Sequence, residues 1–246
     1  MKRLLLVFGV ICVVSVTPAI AQETQEKEKE PAWNGSLGLS WVATGGNTDT
    51  SSAGLDFAIK RKPEPWGLEF AARGNKAQDS GVTTAENYFA EGRVSRALGK
   101  RWDAFGGLQW SKDPFAGFDS QTVVSAGGTY RAVESERHHL TFDMGLAYTW
   151  EDQISPVAEV AFGGGIFGLA WEWQLGENSK LTERLMYYPN LDDSANWRAT
   201  SVTAIEAAIN SWLALRFGYD LRYRNEPIGD ADNTDTTSTA SVVFNF

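Results

Sequence analysis

Apolar and polar residues alternate with a period of two along most of the chain after residue 32. The clearest stretch has Leu140, Phe142, Met144, Leu146, Tyr148 and Trp150 at its even positions, and Thr141, Asp143, Thr149 and Glu151 among its odd ones. Residues 213–224 repeat the pattern. Successive side chains of an extended strand point to opposite faces, whereas a helix would scatter both sets around its circumference. The pattern therefore predicts β-strands with one apolar and one polar face.

Turn signals divide this region into twelve predicted strands, at 32–44, 51–61, 66–75, 85–97, 102–111, 121–132, 138–150, 157–173, 180–188, 196–208, 212–224 and 237–246. Each is near the length, about 9–11 residues, that a tilted strand needs to cross hydrocarbon. Tight turns alternate with connections that are mostly longer and richer in Gly, Pro, Asn and Asp. Short periplasmic turns, longer outer loops and an even strand count are typical of bacterial outer-membrane barrels. We predict an all-β fold, a closed antiparallel transmembrane β-barrel of about twelve strands, within a range of about ten to fourteen.

Three of the twelve segments alternate poorly. In the eighth segment, Val160 and Phe162 are out of phase with Phe167, and a bulge at the three glycines 163–165 would reconcile them. In the ninth segment, Glu183 shares a face with Leu185. The tenth segment is equally irregular, so we expect the register of these three strands to be the least certain part of the layout.

The last segment, residues 239–246, ends the chain on an apolar strand. Ala240, Val242, Phe244 and Phe246 fall on one face of it. The termini of soluble domains usually fray, whereas the last strand of a membrane barrel must pair with the first to leave no edge in lipid. The alternative for this stretch is the edge strand of a soluble sandwich.

The tryptophans favour the membrane barrel independently. The layout places Trp33, Trp66, Trp102, Trp171, Trp173 and Trp212 at the periplasmic ends of strands, and Trp41, Trp110, Trp150 and Trp197 towards the outer ends. Two rings of amphipathic aromatic residues bracket the apolar band of a membrane barrel. In a soluble sandwich or a lipocalin-like cup, ten tryptophans would instead converge on one core.

The N-terminal region predicts export. Residues 1–21 combine a basic start, an apolar run and small residues before Ala21, which is typical of a signal peptide cleaved after that residue. Residues 22–31 form a predicted disordered periplasmic tail, and residues 32–246 form the barrel. The only cysteine, Cys12, lies in the signal, so the mature chain has no disulfide and no thiolate metal site. The predicted location is the bacterial outer membrane.

The charge balance excludes one class of partner. Without Lys2 and Arg3, 20 basic residues face 31 acidic ones, which leaves a net charge of −11. Such a charge argues against binding to nucleic acid and for a solvated, acidic surface. Acidic loops such as residues 229–235 are candidates to hold divalent cations near lipopolysaccharide, although a solvated loop with nothing bound is the favoured interpretation.

Three stretches carry a resemblance to a known family. They are Trp33-Asn34-Gly35-Ser36-Leu37 with residues 43–48, residues 183–193, and residues 222–227 with 235–237 and the terminal Phe246. Together they resemble the salt-induced outer-membrane protein family, a domain family of unknown function, over essentially the whole mature chain. The resemblance implies a link to salt or osmotic stress and brings no catalytic residue. It also implies that the outer-membrane assembly machinery reads the terminal strand through Val242, Phe244 and Phe246.

Charged residues on the predicted inward face are the main site candidates. They are Asp56, Lys60, Glu69, Arg73, Glu91, Arg93, Asp103, Asp143, Arg216, Asp220 and Arg222. Opposite signs occur together, which predicts either an ion-pair network across the lumen or a polar conduction path. About eight strands give a filled interior and about sixteen an open channel, so a twelve-stranded lumen is either plugged or narrowly open. The predicted partners are outer-membrane lipid and lipopolysaccharide.

Candidate catalytic chemistry is sparse. The only histidines, His138 and His139, lie beside the turn before the seventh strand, next to Glu134 and Glu136. A lipid hydrolase or acyltransferase needs a nucleophile and a base within about 3 Å, and a solvated turn is the favoured interpretation of this pair. We predict no catalytic residue, cofactor or metal, and a narrow channel or an envelope-structural role. The alternatives are a membrane-embedded lipid enzyme and a surface-binding barrel that acts through its outer loops.

Overall fold

The computed structural model describes residues 33–44 and 50–246. These residues form twelve strands: β1 (Asn34–Thr44), β2 (Thr50–Arg61), β3 (Trp66–Asp79), β4 (Val82–Ala97), β5 (Trp102–Asp113), β6 (Phe118–Glu134), β7 (His138–Ile154), β8 (Val157–Gly176), β9 (Ser179–Tyr188), β10 (Arg198–Ala208), β11 (Leu213–Arg224) and β12 (Thr234–Asn245). A single 3-10 turn, Pro114–Ala116, lies between β5 and β6. In this part of the chain no helix is long and apolar enough to cross a membrane.

The strands form one closed sheet. Each strand pairs antiparallel with the strands before and after it, and β1 pairs with β12 to complete the ring. This architecture confirms the predicted all-β, closed, twelve-stranded antiparallel barrel. The alternation gives a physical reason for the closed sheet. Strands with one apolar face lie in lipid, where every backbone N–H and C=O needs a partner, so the sheet can have no free edge.

The two ends of the barrel differ in their connections. At one end, the turn end, the strands are joined by residues 62–65, 98–101, 135–137, 177–178 and 209–212. At the other, the loop end, the described connections are residues 80–81, 114–117, 155–156, 189–197 and 225–233. The predicted long connections at 76–84, 112–120 and 151–156 are wrong, because the flanking strands continue into short turns. Ser80 and Gly81 both have positive φ, 49° and 81°, as a two-residue hairpin turn requires.

The predicted bulge in β8 is also wrong. The β7–β8 ladder runs without interruption from Ile154↔Val157 to His138↔Trp173. The three glycines instead admit the chain that follows β9: the Gly165 N–H donates to the Pro189 carbonyl at 3.0 Å, and Gly164 forms a bridge with Asn190. The unbroken register turns Val160 and Phe162 towards the lumen, so the mismatch in the sequence reflects apolar residues that point inward.

The outward face is apolar and carries aromatic residues near both ends. At the turn end, Trp171 and Trp173 stack with centroids 5.7 Å apart, and Trp212 stacks on Phe244. At the loop end, Tyr148 packs on Trp150, and Trp197 packs on Tyr187 and Tyr223. This arrangement of exposed rings is the one expected at the two interfaces of a membrane.

The seam between β1 and β12 is the shortest ladder of the barrel. It pairs only four residues of each strand, from Ser36↔Asn245 to Leu39↔Val242. Two further hydrogen bonds join Gly35 and Phe246 at the turn end, N–H to O at 2.8 and 3.0 Å. The Phe246 ring covers Gly35 so closely that a Cβ at this position would collide with it. Among the described residues, the ladder therefore closes at the turn end and stops short of the loop end.

Other predictions lie outside the described residues. They are the signal peptide at 1–21, the tail at 22–31 and residues 45–49 of the connection between the first two predicted strands.

Candidate functional site

The main cavity of the barrel lies in the loop-end half of the lumen. Its volume is about 220 Å³. Its charged lining consists of five arginines and five carboxylates: Arg73, Arg184, Arg198, Arg222, Arg224, Asp56, Glu91, Asp220, Asp232 and Asp235. The strands supply most of these side chains from their inward faces, since alternate positions point into the lumen. The cavity is thus charged but contains both signs in equal number.

The loop between β11 and β12 covers part of the cavity mouth. Ile228 of this loop is buried, and it packs on Gly117 at the opposite side of the barrel. Gly117 has φ of 92° and no room for a Cβ, because Ile228 would lie 2.7 Å from it. A Cβ at Gly229, which also has positive φ, would lie closer still to the Ser155 carbonyl oxygen. Glycine is required at both contacts, so the loop is fitted to the far wall.

Three ion pairs cross the cavity between strands that are not neighbours. Arg73 on β3 donates to Asp220 on β11 at 3.1 Å, and Arg184 on β9 donates to Glu91 on β4 at 2.9 Å. Asp113 at the end of β5 accepts from Arg222 on β11, half-way around the barrel, at 2.8 Å. These bonds bind opposite walls of the lumen together.

Two further pairs are buried and bidentate. Arg93 donates through both terminal nitrogens to Asp143, at 2.8 and 3.0 Å, and it also donates to the Thr129 hydroxyl. Its guanidinium lies over the Phe105 ring, 3.9 Å from the centroid. Arg224 donates in the same way to Glu151, at 2.7 and 2.9 Å. Bidentate, charge-assisted bonds of this kind are among the strongest polar contacts in proteins.

The remaining candidates from the sequence lie nearer the turn end or along β2. Asp103 accepts from Arg131 at 2.9 Å, and Arg216 donates to Glu206 at 2.8 Å. Asp56 lies opposite Arg73 in the β2–β3 ladder. The next pair down this ladder that carries charge is Lys60 opposite Glu69, and both residues are exposed.

The lumen therefore has a filled half and a more open half. On the filled half, Phe105 of β5, Ile166 of β8 and Met186 of β9 form a buried apolar cluster, and the void beside them is only about 20 Å³. On the other half, the inward side of β2 and β3 is exposed towards the turn end, where β2 carries the small side chain of Ala58. The Arg73–Asp220 bond lines the cavity on the side of this exposed region.

One inward arginine differs from the others. Seven of the inward arginines, Arg73, Arg93, Arg131, Arg184, Arg216, Arg222 and Arg224, each have a carboxylate oxygen between 2.7 and 3.1 Å away. Arg198 has none among the described residues. Its one hydrogen bond goes from Nη2 to the Thr149 hydroxyl, at 3.2 Å.

His138 lies on the outside of the barrel at the turn end, and His139, the next residue of β7, points to the inward side of the same rim. The His138 ring stacks with Trp171 and Trp173, at centroid distances of 6.1 and 5.7 Å. The His139 Nδ1 lies 4.0 Å from Glu134. Among the described residues no hydroxyl bonds to either imidazole, and no three His, Cys, Asp or Glu side chains gather at a metal-binding distance, which includes the acidic loop at 229–233.

Sequence reasoning missed Arg184, Arg198, Arg224, Glu151 and Glu206, which all point inward. Glu151 was visible as the last inward position of the seventh segment. The others belong to β9, β10 and the end of β11, where alternation is weak or a predicted strand ends. The signal for Arg184 was its neighbour Leu185, whose outward position fixes the phase of β9.

Comparison with known proteins identifies the family and the fold. The family model described as "Protein of unknown function, DUF481" matches residues 36–246. The uncharacterized protein YdiY of Escherichia coli (strain K12) is 26% identical over 222 residues, which cover 88% of this chain and 84% of YdiY. These matches confirm the predicted membership in a domain family of unknown function.

Solved structures with the same fold are outer-membrane barrels. An outer-membrane channel from Pseudomonas putida F1 aligns with a TM-score of 0.51 at 11% identity, over 92% of this chain and 100% of that one. The NanC porin aligns with a TM-score of 0.47 at 11% identity, over 86% of this chain and 97% of that one. At this identity the similarity shows the fold alone, a barrel of the outer-membrane type. By the match to its family model, the chain belongs to the DUF481 family of proteins of unknown function.

Proposed function

We propose that this protein is a narrow channel of the bacterial outer membrane for small polar solutes. The observation that carries the proposal is the charged cavity of about 220 Å³ inside a closed twelve-stranded barrel, with the exposed wall of β2 and β3 beneath it. The path follows β2 and β3 from the loop-end cavity past Asp56 and the Arg73–Asp220 bond to Lys60 and Glu69. A fully structural barrel would have no reason to leave this wall open while it packs the opposite one.

The Arg73–Asp220 bond crosses this proposed path. Its two side chains are each about one-third exposed, at 33% and 31%, so water reaches both of them. An ion pair in contact with water is weak and rearranges easily. A solute or ion can therefore pass if the pair opens.

Single-channel conductance of the refolded mature chain in planar bilayers tests the proposal. We expect small discrete steps, and we expect Arg73→Ser to raise the step size because it shortens a side chain in the path. Arg96→Gln is the matched control: it removes one positive charge, but Arg96 lies outside the barrel over the Trp66 ring, 5.3 Å from the centroid. A silent membrane with protein shown to be folded by heat-shifted gel mobility would overturn the channel and favour an envelope-structural role.

The membrane context belongs to the same proposal. The chain is inserted among outer-membrane lipid and lipopolysaccharide, and the assembly machinery recognises Val242, Phe244 and Phe246 of its last strand. In support, Val242 and Phe244 lie on the outward side of β12, and Phe246, which follows the strand, is exposed, so a second protein can reach all three before the barrel closes. The link to salt or osmotic stress rests on the family resemblance alone, and growth of a deletion strain at high salt tests it.

The lipid-enzyme alternative has a direct test in the two histidines. His138 stacks with Trp171 and Trp173 in the belt of aromatic side chains at the turn end, and no hydroxyl among the described residues bonds to its imidazole. We therefore expect His138→Ala/His139→Ala to leave phospholipid and lipopolysaccharide turnover unchanged. A turnover activity that this double variant abolishes would replace the channel proposal with an enzyme.

A further inference from the structure

The environment of Arg198 suggests a ligand, because it is the one inward arginine of the described strands that has no carboxylate in direct contact. Arg198 lies directly opposite Arg224 in the β10–β11 ladder and opposite Tyr188 in the β9–β10 ladder. Like charges directly opposite each other on a sheet repel. Both oxygens of Glu151 bond to Arg224, so this carboxylate makes no direct ion pair with Arg198. The positive charge of Arg198 therefore has no carboxylate in direct contact among the described residues.

Two aromatic rings lie near the Arg198 guanidinium, and most of its N–H donors have no partner in the described part of the chain. The Phe162 and Tyr188 rings lie 5.8 and 5.4 Å from its central carbon, which is a favourable cation–π arrangement. Thr149 uses one of its five N–H donors. Arg198 also lines the cavity. A planar guanidinium with free donors next to this cavity matches the two oxygens of a carboxylate.

The rest of the cavity restricts the charge of such a ligand. Three lining carboxylates, Asp56, Asp232 and Asp235, have no ion-pair partner in the described part of the chain and lie on or beside other strands. They repel a second negative charge on a ligand held at Arg198. The volume corresponds to about seven water molecules, so the ligand is a small one.

We infer that Arg198 and Tyr188 form a binding site for a small monocarboxylate in the loop-end cavity. The inference rests on the proposed function in that it names the solute class of the same lumen. It requires Phe162 to face inward, which is the orientation that the unbroken β7–β8 ladder imposes.

Equilibrium dialysis of the refolded chain with radiolabelled glycerate, tartronate and glycerol tests the site. These three probes share a three-carbon chain and carry one, two and no negative charges. We expect binding in the order glycerate, tartronate, glycerol, and a loss of glycerate affinity of at least tenfold in Arg198→Gln. Arg198→Lys keeps the charge but not the fork, so we expect an intermediate loss. Arg96→Gln, on the outer surface, should bind as the parent does.

A stability measurement separates this inference from a purely structural role. In the absence of ligand, removal of an unpaired charge should leave the urea midpoint of Arg198→Gln equal to that of the parent or higher. A lower midpoint with unchanged glycerate binding would make Arg198 a structural residue and overturn the inference, as would tighter binding of tartronate. Dialysis does not depend on conduction, so a silent barrel that binds glycerate refutes the channel alone, and a conducting barrel that does not bind it refutes the site alone.

Discussion

At the scale of single residues, inward arginines join strands of the barrel that are not neighbours in the sheet. The Arg93–Asp143 pair shows how: only 11% and 15% of the two side chains are exposed, and Thr129 and the Phe105 ring complete the contacts of the guanidinium. A buried pair of this kind contributes little net energy compared with apolar residues, but a carboxylate left alone in the same place is costly. The pairs therefore fix which strands face each other more than they add stability.

Removal of one partner exposes this cost. We expect Arg93→Met to lower the free energy of unfolding by about 3 kcal/mol, because Asp143 stays buried with Thr129 as its only partner. Urea titration of the barrel in lipid vesicles measures it. Lys112→Gln, which breaks the exposed pair with Asp119, should give no measurable change. Equal effects of the two substitutions would contradict the assignment of Arg93 to a buried pair, and Arg93→Met/Asp143→Leu should recover most of the loss.

The alternation of residues predicts which side chains face the lumen but not what they bond to. Asp143 and Arg93 are each assigned to the inward face by their own strands, yet β4 and β7 are three strands apart. Their pairing depends on the curvature of the closed sheet, which no local pattern contains. Arg198 was missed for a related reason, since it begins β10 directly after a loop and has too few neighbours to establish a phase.

At the scale of strands, the two walls of the barrel differ in height. β4, β6, β7 and β8 have 16 to 20 residues, whereas β9 to β12, β1 and β2 have 10 to 12. About 9–11 residues cross the hydrocarbon, so the longer strands extend beyond it at the loop end. The sequence pattern underestimates these lengths because turn residues such as Gly, Asp and Pro also occur within strands.

The apolar residues of β8 show where a pattern argument fails in a membrane barrel. Apolar residues are assigned to the lipid side, but Phe162 and Ile166 face inward and are buried there. Three glycines between them hide the phase, since glycine fits either face. Apolar side chains inside a lumen fill it, and polar ones leave room for conduction. The alternation of residues along the strands does not show which of the two applies.

A substitution in this apolar cluster tests the division of the lumen into halves. We expect Phe105→Ala to lower the free energy of unfolding by about 3 kcal/mol, because it leaves a cavity among Ile166 and Met186. Conductance should not change, since the solute path follows β2 and β3. The comparison is Phe142→Ala, a lipid-facing phenylalanine of β7, which should cost less. A marked rise in the conductance of Phe105→Ala would place the path on the filled half instead.

At the scale of the whole molecule, the barrel is a closed sheet with one short joint, the seam between β1 and β12. Eleven of its twelve ladders join strands that are consecutive in the chain, and a turn or loop holds each of them in register. The twelfth, between β1 and β12, has only its own hydrogen bonds and the contact of Phe246 with Gly35. The alternation predicts that this joint exists, because a membrane barrel must close. How far it extends depends on the stagger of the strands, which the sequence does not specify.

The short joint has a consequence for amide hydrogen exchange. Between Thr234 and Ser241, the amides of β12 that point away from β11 have no strand to bond to in the described residues, whereas β7 is bonded on both sides. We expect mass spectrometry in deuterated buffer to show rapid exchange of about half the amides in this segment and protection throughout β7. Equal protection of both strands would mean that the joint is closed along its length. If the exchange is rapid, water reaches the unpaired part of the wall between β1 and β12. The lumen then has a lateral opening towards the membrane in addition to the openings at its two ends.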